Sequence, residues 1–417
     1  MITNPELFNN KREFLTISFI LIIFILIRFI YYYYDYKSLN INEFYYADAK
    51  VLNSYTVKDD NILKLSANTL TLYMHTKKSL KIGTYVRVKY KIQKKITFFN
   101  YLKGFFVYGN ILRVYKSYNS KETLLQKIFS QHKNQDIANI YGAIFLAYPL
   151  NRDVREKIAN LGLSHLIAIS GFHLGILWAV VYTILLIPYR FFQQRYFAYR
   201  SSLIDVGLIA LIVILIYVIF IGAPPSVLRA FSMIAVGWVV AIFGLSVISF
   251  EFLIIASLLL LAIFPKLLFS YGFLLSFSGV FYIFLLLKHF RHQKLILNLI
   301  TIPFGVFLLM FPISHYFFGN FSLYQLISPI ISLLFVPFYP ASILLHLFGY
   351  GYIFDSVIKA LLNLNLNANS FYTPLLLLLI YIFLSIKATT NKKYLYFTLT
   401  FALMLLIFAI ALNLLGY

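Results

Sequence analysis

Long apolar runs constrain this chain more than any other feature. Phe14–Ile30, Leu203–Gly222 and Tyr394–Leu415 approach or exceed the roughly 18–20 residues that cross a bilayer. The first run is too long for a signal peptide and has no small-residue cleavage site, so we interpret it as a retained span. Mean hydropathy is +0.81 and 61% of residues are hydrophobic, whereas soluble domains are nearer half apolar. The sequence therefore predicts a polytopic α-helical membrane protein with about 9–11 membrane segments.

The remaining spans are predicted from further apolar segments. These are 165–187, 203–222, 226–243, 250–264, 270–287, 295–312, 374–386 and 394–415. The segment 322–348 is apolar too, but Pro329, Pro337 and Pro340 predict a broken helix there. Broken helices at membrane depth are tolerated where they are buried in protein or line a cavity.

One polar segment carries more than half of the net charge. Residues 37–133 hold 18 Lys and Arg against 5 acidic residues, a net +13 of the chain's +22. Such a surface suits a polyanion, which would be nucleic acid, anionic lipid headgroups or a cell-wall polymer. A merely solvated surface in a lysine-rich proteome explains the lysines equally well.

Residues 41–116 are patterned as strands. The segments 69–74, 84–92 and 105–115 alternate or are rich in Val, Tyr, Thr and Phe, with punctuation by Gly83, Gly104 and Gly109 and a turn at 59–61. About five short strands in this length favour a small all-β barrel, with an OB-fold as the leading candidate. The predicted domains are a transmembrane anchor (1–36), an OB-like basic domain (37–117), an interfacial amphipathic helix (118–135) and a polytopic membrane domain (136–417).

The predicted barrel interleaves cations and aromatic residues. OB-folds bind single strands with a basic groove and aromatic stacking platforms. The candidate binding residues are Tyr85, Arg87, Lys89, Tyr90, Lys91, Lys94 and Lys95. Alternating aromatics also form barrel cores, and we favour that role for most of them.

Short basic loops predict the orientation. They contain Arg190, Arg195 and Arg200, then Lys288, Arg291 and Lys294, then Lys387, Lys392 and Lys393. The three loops fall on one side of the membrane if the segment 322–348 enters and leaves the membrane on the other side. Lys11 and Arg12 precede the first span and indicate that this side is cytoplasmic. The barrel domain then lies outside the cytoplasm.

Arg229 is the only Lys or Arg between Leu203 and Phe264. It lies one turn after Pro224–Pro225, which should open a helix whose N-terminal N–H groups favour an anion. Its guanidinium matches phosphate oxygens. We predict a phosphate contact in a translocation path, and the alternative is an arginine that reaches the outer interface.

The stretch SHLIAISGFHLGILWAV combines His165, Ser170 and His173 with Gly171 and Gly175. On a continuous helix the two histidines would share nearly one face, and the glycines would permit close helix approach. Ser170 with His173 as base is a possible nucleophile pair, without a carboxylate partner in the motif. Two histidines also lack an obvious third zinc ligand, so packing and wetting of a path are favoured over catalysis or metal binding.

Polar residues recur on two later apolar segments. GFLLSFSGV carries Ser276 and Ser278, and FFGNFSLYQLISP carries Asn320. Ionisable and polar groups within spans usually face a bundle interior or a water-filled path. We predict that these residues line one shared interior path with His165, Ser170, His173 and Arg229.

GLSHLIAISGFHLGIL resembles the HLLAISGLHIG signature of ComEC-type competence channels. PPSVLRAFSM is similar to that family's P-S-x-x-R-A-x-x-M segment, and Pro265 followed by GFLLSFSGV to its later motif. The resemblance covers roughly 120–340 of this sequence. Where the family often has Gly-Asp-Arg, this chain has Ala147-Tyr148-Pro149. The HxHxDH motif of the family's frequent C-terminal metallo-β-lactamase-like domain does not occur in the sequence.

The resemblance implies a multi-pass inner-membrane channel that passes single-stranded DNA into the cytoplasm during natural transformation. It implies no enzymatic activity, catalytic residue, metal or cofactor for this chain. The expected partners are single-stranded DNA, membrane lipids, a periplasmic DNA receptor, a separate nuclease and a cytoplasmic ATP-driven motor; the oligomeric state stays open. A transporter or flippase of an anionic envelope lipid or glycan precursor is the alternative, and an intramembrane hydrolase is a weaker one.

Overall fold

The computed structural model describes most of the chain. The described residues are 10–39, 41, 43–57, 60–67, 70–78, 80, 83–92, 94–115, 120–243, 249–290, 295–364 and 368–415. They divide into two compact units. The barrel unit comprises Asn10–Glu122 with Leu258–Ser270, and the helical unit comprises the described parts of Thr123–Ser257 and Tyr271–Tyr417.

The barrel unit is built from five strands and two helices. α1 (Lys11–Lys37) comes first and covers the predicted first span. The strands are β1 (Phe44–Val57), β2 (Asp60–Ala67), β3 (Leu70–Thr76), β4 (Tyr85–Lys91) and β5 (Phe105–Tyr115), with α2 (Phe98–Lys103) between the last two. They close into a barrel in the order β1-β2-β3-β5-β4. The β3–β5 pair is parallel and the other pairs are antiparallel. The predicted small all-β domain is confirmed as a closed five-stranded barrel, which is consistent with an OB-like domain.

The barrel core follows the strand alternation. Val86, Val88 and Tyr90 of β4 are buried while Tyr85 and Arg87 face outward, as a period of two requires. Buried aliphatic residues of the other strands complete the core: Val51, Leu63, Leu65, Leu72, Met74 and Val107. Each fully buried aliphatic side chain of this size stabilises a fold by about 1.5–3 kcal/mol.

Two of the three predicted glycine breaks lie at turns. Gly83 and Gly104 have φ values of 89° and 119°, which glycine adopts readily. Gly109 instead lies inside β5 opposite Tyr90, where a Cβ atom would meet Lys89 O at 2.2 Å. The third break was therefore wrong, because this glycine permits close strand pairing. Of the predicted turn, 59 lies outside the described residues, and Asp60 begins β2.

The helical unit contains most of the remaining helices. Its elements, including two that straddle the unit boundary, are α3 (Ser120–Phe129), α4 (Gln135–Leu146), α5 (Arg152–Asn160), α6 (Ser164–Ile167), α7 (Gly171–Tyr196), α8 (Ser202–Phe220), α9 (Pro225–Ile242), α10 (Phe250–Ile263), α11 (Tyr271–Phe290), α12 (Leu295–Phe317), β6 (Asn320–Phe321), α13 (Ser328–Leu347), α14 (Asp355–Leu362), β7 (Asn369–Ser370), α15 (Leu375–Ala388) and α16 (Lys392–Leu414).

Seven helical segments among the described residues are long and apolar enough to span a membrane. They correspond to α1, α7, α8, α11, α12, α13 and α16, and α9, α10 and α15 are shorter apolar helices. This composition confirms a multi-pass membrane protein. The figure of about 9–11 segments stays a prediction.

Two helix boundaries differ from the predictions. The segment 165–187 is not one helix: α6 ends at Ile167, Ala168 is extended, and α7 begins at Gly171. His165 and His173 therefore lie on different helices. The predicted break in 322–348 is also wrong within α13, which runs continuously through Pro337 and Pro340.

The chain returns to one place after α13 and α14. Asn320–Phe321 pairs with Asn369–Ser370 as a two-stranded sheet, and Thr373 N donates to His315 O. On the opposite ends of the helices, Lys288 Nζ donates to Thr389 O at 2.9 Å. Lys288 at the end of α11 therefore lies beside the connection between α15 and α16, and the orientation of the chain stays a prediction.

Candidate functional site

The break before α7 exposes the first turn of a 26-residue helix. Ser170 is extended, with φ −124° and ψ 178°. Its N–H donates to His173 Nδ1 at 3.3 Å, and its Oγ lies 3.1 Å from the same nitrogen. A helix N-terminus presents unpaired N–H groups and partial positive charge, so it favours an anion.

His173 is fully buried beside this turn. Its ring packs edge-on against Phe335 and Tyr339, with centroid distances of 4.9 Å to each. Because Nδ1 accepts the Ser170 N–H, a neutral imidazole carries its hydrogen on Nε2. Nε2 is buried and has no hydrogen-bond partner in the described part of the chain. An unsatisfied buried donor costs about 1–3 kcal/mol of stability. The His173 Nε2–H group is such a donor.

Arg229 is the second polar group of the site. The predicted helix start is confirmed, with Pro224 as N-cap and Pro225 as the first residue of α9. Arg229 is only 8% exposed, and its Nε is buried without a hydrogen-bond partner among the described residues. Asp205, the nearest acid before Arg229 in the sequence, instead accepts a 2.7 Å hydrogen bond from Arg200 Nη2. A second bond to Asp205 comes from Tyr189 OH.

The starts of α7 and α9 lie against each other. A Cβ atom on Gly171 would lie 3.7 Å from Ala230 Cβ, next to Arg229 in the chain. One turn further, a Cβ on Gly175 would have nothing within 4 Å. Gly171 thus supports the expected close approach, whereas Gly175 borders open space instead.

His165 is held apart from His173 by the helix break. It lies exposed on α6, and its Nε2 is 3.1 Å from Ser332 Oγ on α13. The Ser332 hydroxyl donates to Ser328 O at 2.8 Å, so His165 Nε2 is the donor in the first contact. Ser328 Oγ in turn donates to Gly162 O at 3.0 Å. The start of α13 is therefore tied to the segment that precedes α7.

The other predicted path residues are placed less closely together. Asn320 is exposed in β6, where its carbonyl accepts a 2.9 Å bond from Gln325 Nε2. Ser276 and Ser278 are half-buried on α11, a helix that packs mainly on α12. Ser278 Oγ donates to Leu274 O of its own helix. The structure brings His165, Ser170 and His173 to the start of α7 and places Arg229 next to Ala230, which lies against Gly171. Ser276 and Ser278 lie in a separate helix group.

Ser170 and His173 have the spacing of a nucleophile and a base. A productive pair needs a third group that orients the imidazole. Within the described residues, His173 Nε2 makes no hydrogen bond to a carboxylate. The pair therefore reproduces only the first contact of a hydrolytic triad.

Four of the residues predicted to bind a nucleic-acid single strand share the outer face of the barrel. Tyr85, Arg87, Lys89 and Lys91 alternate along β4, opposite Lys50, Asp48, Tyr46 and Phe44 of β1. Lys89 Nζ lies 4.1 Å from the centroid of the Phe44 ring and 5.6 Å from that of Tyr46. We call these residues on β4, with Phe44 and Tyr46, the cation–aromatic face. It offers phosphate-binding cations beside rings on which bases can stack.

The remaining predicted barrel residues differ in exposure. Tyr90 is only 4% exposed and stacks on Tyr45 at 5.6 Å. Burial raises the pKa of Tyr90, and the neighbouring Tyr45 adds to that shift. Tyr90 belongs to the core and offers no surface for a base. Lys94 and Lys95 follow β4 and are exposed.

Sequence reasoning missed several residues of these sites. Phe44 and Tyr46 face outward on β1, and each is 57% exposed. Only the β1–β4 register brings them to the lysines, so a motif on one strand could not reveal them. Trp178, one turn beyond Gly175, has a buried Nε1 without a described partner. Its apolar surroundings in the sequence carried no signal of a polar role.

Comparison with known proteins gives a family match over most of the helical unit. The model of the family described as Competence protein matches residues 148–416. The chain belongs to the competence protein family. The match contains the segments at Ser164–Val180, Pro224–Met233 and Gly272–Val280 on which the resemblance rests.

Two curated relatives of the competence family protein align over part of their length. This chain is 34% identical over 193 residues to ComE operon protein 3 of Bacillus subtilis (strain 168). The alignment covers 46% of this chain and 23% of the relative. The chain is 29% identical over 184 residues to an uncharacterized protein of Aquifex aeolicus (strain VF5), covering 42% of this chain and 39% of the relative. These alignments thus span well under half of either relative. No solved structure matches the chain.

Proposed function

We propose that this competence protein passes single-stranded DNA across the cytoplasmic membrane during natural transformation. The observation that carries the proposal is the family match over residues 148–416. A buried arginine without a described carboxylate partner supports it, because a transient phosphate can satisfy a guanidinium that the resting protein does not. Arg229 meets that description.

The barrel gathers the strand in this proposal. The segment 37–133 carries a net +13, and the cation–aromatic face combines Arg87, Lys89 and Lys91 with exposed rings. Phosphates contact the cations and bases stack on the rings without sequence preference. Lys94 and Lys95 extend the positive surface beyond β4.

The strand then passes the start of α7. In this proposal an anion is held by three groups: the N-terminal end of α7, with its partial positive charge, the Arg229 guanidinium and the His173 Nε2–H donor. The open space beside Gly175 offers room for the chain to continue. His165 and Ser170 flank this position, and Asn320, Ser276 and Ser278 are proposed as further polar residues of the path.

We place the N-terminus and the basic loops in the cytoplasm. The contact between Lys288 and Thr389 supports a common side for two of those loops, and the pairing of β6 with β7 supports a segment 322–368 that leaves and returns on the other side. Positive residues in short loops favour the cytoplasmic side. The chain then spans the inner membrane of the cell, and the barrel lies outside the cytoplasm.

The proposed partners follow from the steps that this sequence does not carry. It has no GxxxxGK[ST] loop of the kind that cradles nucleotide phosphates. We propose a separate ATP-driven motor in the cytoplasm, a separate nuclease that produces the single strand, and a periplasmic receptor that captures the duplex. Membrane lipids surround the helices.

A deletion strain tests the proposal. Labelled DNA is supplied, and the DNA that reaches the cytoplasm is measured separately from the DNA that is held outside the cytoplasmic membrane. We expect normal capture outside and loss of cytoplasmic DNA, and the full chain supplied in trans should restore the cytoplasmic DNA. Normal cytoplasmic DNA in the deletion strain would refute the proposal. Accumulation of a lipid-linked envelope precursor, with normal DNA uptake, would favour the flippase instead.

A further inference from the structure

A chain of three titratable side chains lies away from the site at α7. His132 is in the loop between α3 and α4, His346 is near the end of α13, and Asp355 begins α14. His132 Nδ1 lies 2.9 Å from Asp355 Oδ1 and 3.1 Å from Oδ2. His132 Nε2 lies 3.0 Å from His346 Nε2. The three residues come from distant parts of the sequence, so no motif announces them.

The outer contacts fix where two of the protons are. His346 Nδ1 lies 2.7 Å from Ser342 O, and a carbonyl oxygen can only accept. His346 Nδ1 therefore carries a hydrogen. A carboxylate also only accepts, so His132 Nδ1 carries a hydrogen toward Asp355.

The inner contact then requires a further proton. With both Nδ1 atoms protonated, two neutral imidazoles would turn their Nε2 lone pairs toward each other at 3.0 Å. That contact is a hydrogen bond only if one Nε2 carries a hydrogen. Moving a proton from His132 to Asp355 would change where that proton lies but not the number of protons on the three side chains. The ordinary pKa of aspartate, about 2–3 units below that of histidine, places it on the imidazoles.

We propose that His132, His346 and Asp355 form a proton-binding site that latches the end of α13 to the α3–α4 loop. One proton is shared between the two Nε2 atoms, so the imidazole pair carries one positive charge and Asp355 balances it. Loss of this proton leaves two facing lone pairs in a buried place, and the latch opens.

Two neighbours offset part of the cost of burying a positive charge on the imidazole pair. The His132 side chain is fully buried and Asp355 is 21% exposed. The Tyr141 ring stacks on His132 at 4.6 Å and 10°, and it lies 4.5 Å from His346. An aromatic face attracts a cation. Among the described residues, the titratable groups that face the pair are Asp355 from α14 and Tyr141 from α4.

A metal ion fits this geometry less well than a proton. Zn–N bonds are about 2.0–2.1 Å long, and zinc sites use at least three protein ligands. No group of three or more metal-binding side chains occurs in the described ranges of the chain. The ring centroids are 5.1 Å apart, nearly the separation of two rings whose nitrogens point straight at one another. A metal midway between those nitrogens would lie only 1.5 Å from each, half of the 3.0 Å contact.

The latch holds a helix that also forms the site at α7. Phe335 and Tyr339 of α13 enclose His173. Gln131 braces the same helix end independently of protonation: its Nε2 donates to His346 O at 3.0 Å and its Oε1 accepts from Gly351 N at 2.9 Å. The proton site thus adds a pH-dependent attachment to a pH-independent one. This inference does not rest on DNA passage.

The natural lack of cysteine makes a clean reporter possible. Ser342→Cys places a thiol at a position that is 1% exposed on α13, and Tyr199→Cys gives a reference thiol at a position that is 90% exposed. Full-length protein is labelled with a water-soluble maleimide between about pH 5 and 9, which brackets the ordinary histidine pKa. The ratio of the two rates removes the intrinsic pH dependence of the thiol.

We expect this ratio to rise about tenfold per pH unit above the closed range, because each opening releases one proton. His346→Gln and His132→Gln should each remove the pH dependence, and one suffices if the other does not fold. The matched control His289→Gln, at a histidine whose Nε2 lies 2.7 Å from Ala388 O, should retain it. Asp355→Asn should move the rise to lower pH, because the imidazolium loses its counter-charge.

Three results would overturn the proton site. The ratio could be independent of pH in the protein with all its histidines. The pH dependence could survive in both glutamine variants. A chelator could raise the ratio at constant pH, which would identify a bound metal in place of the proton.

Discussion

At the residue scale, Arg229 is the side chain whose burial most needs a partner from outside the chain. It is 92% buried, with 8% of its surface exposed, and its Nε has no described hydrogen-bond partner. The sequence predicted the helix start, because the conformational preference of proline is local. The burial itself depends on tertiary packing around α9, which no local pattern encodes.

Arg229→Ala should abolish cytoplasmic DNA while leaving protein level and DNA capture outside the membrane intact. Arg229→Lys keeps the charge but loses the forked donor, so we expect partial loss. Transformation assays with quantitative immunoblots check both variants, and Arg152→Ala, an exposed arginine on α5, is the matched control. Normal transformation by the alanine variant would reduce Arg229 to a residue that only reaches the interface. Loss of the protein would assign it to folding.

Ser170→Ala separates a polar path from intramembrane hydrolysis. The Ser170 backbone N–H still reaches His173 Nδ1 without the hydroxyl, so we expect DNA passage to persist at normal protein level. Transformation frequency measures this directly. Complete loss with a normally inserted protein, rescued by Ser170→Cys, would indicate a nucleophile.

At the element scale, the β1–β4 register creates the cation–aromatic face. The alternation along β4 was predictable from sequence, but the pairing of Tyr46 with Lys89 was not. Tyr90 shows the same limit: the one-residue alternation that exposes Lys89 turns Tyr90 into the core. Strand pairing decides which aromatic residues can meet a ligand.

The triple variant Arg87→Ala, Lys89→Ala, Lys91→Ala should bind single-stranded DNA with a weaker salt dependence. Each lost phosphate contact reduces the slope of log affinity against log salt by about 0.7, so the triple variant should lose about 2 units of slope. Fluorescence anisotropy on purified full-length protein gives the slope. The control removes Lys387, Lys392 and Lys393, the same charge from a helix-joining loop. An unchanged slope in the β4 variant would remove this face from the proposal.

Gly109→Ala should disrupt the β4–β5 pair. Its Cβ would meet backbone at 2.2 Å, and overpacking of this kind costs about 1–3 kcal/mol or more. Limited proteolysis of the full chain should cut the barrel faster. Gly279→Ala, where a Cβ has nothing within 4 Å, should leave cleavage unchanged. Equal protease resistance of the two variants would contradict the strand register.

At the scale of the whole molecule, the apolar runs predicted the class of protein and most helix positions. Two predictions failed for tertiary reasons. The helix at 165–187 breaks at Ala168, after α6, which contacts α13 through His165 and Ser332. In contrast, α13 stays continuous despite Pro337 and Pro340. Propensity acts locally, whereas these outcomes depend on the helices that pack alongside. The separation of Ser276 from the α7 site has the same origin.

The central claim is that DNA passes the start of α7, and cross-linking of DNA in transit tests it most directly. A photo-reactive residue at Gly175, which borders open space, is compared with one at Ile216, which is 62% exposed on α8. Cells take up labelled DNA and are then illuminated. We expect the single strand to attach at Gly175 and not at Ile216. Attachment at Ile216 alone, or none at Gly175 while DNA still reaches the cytoplasm, would contradict the path.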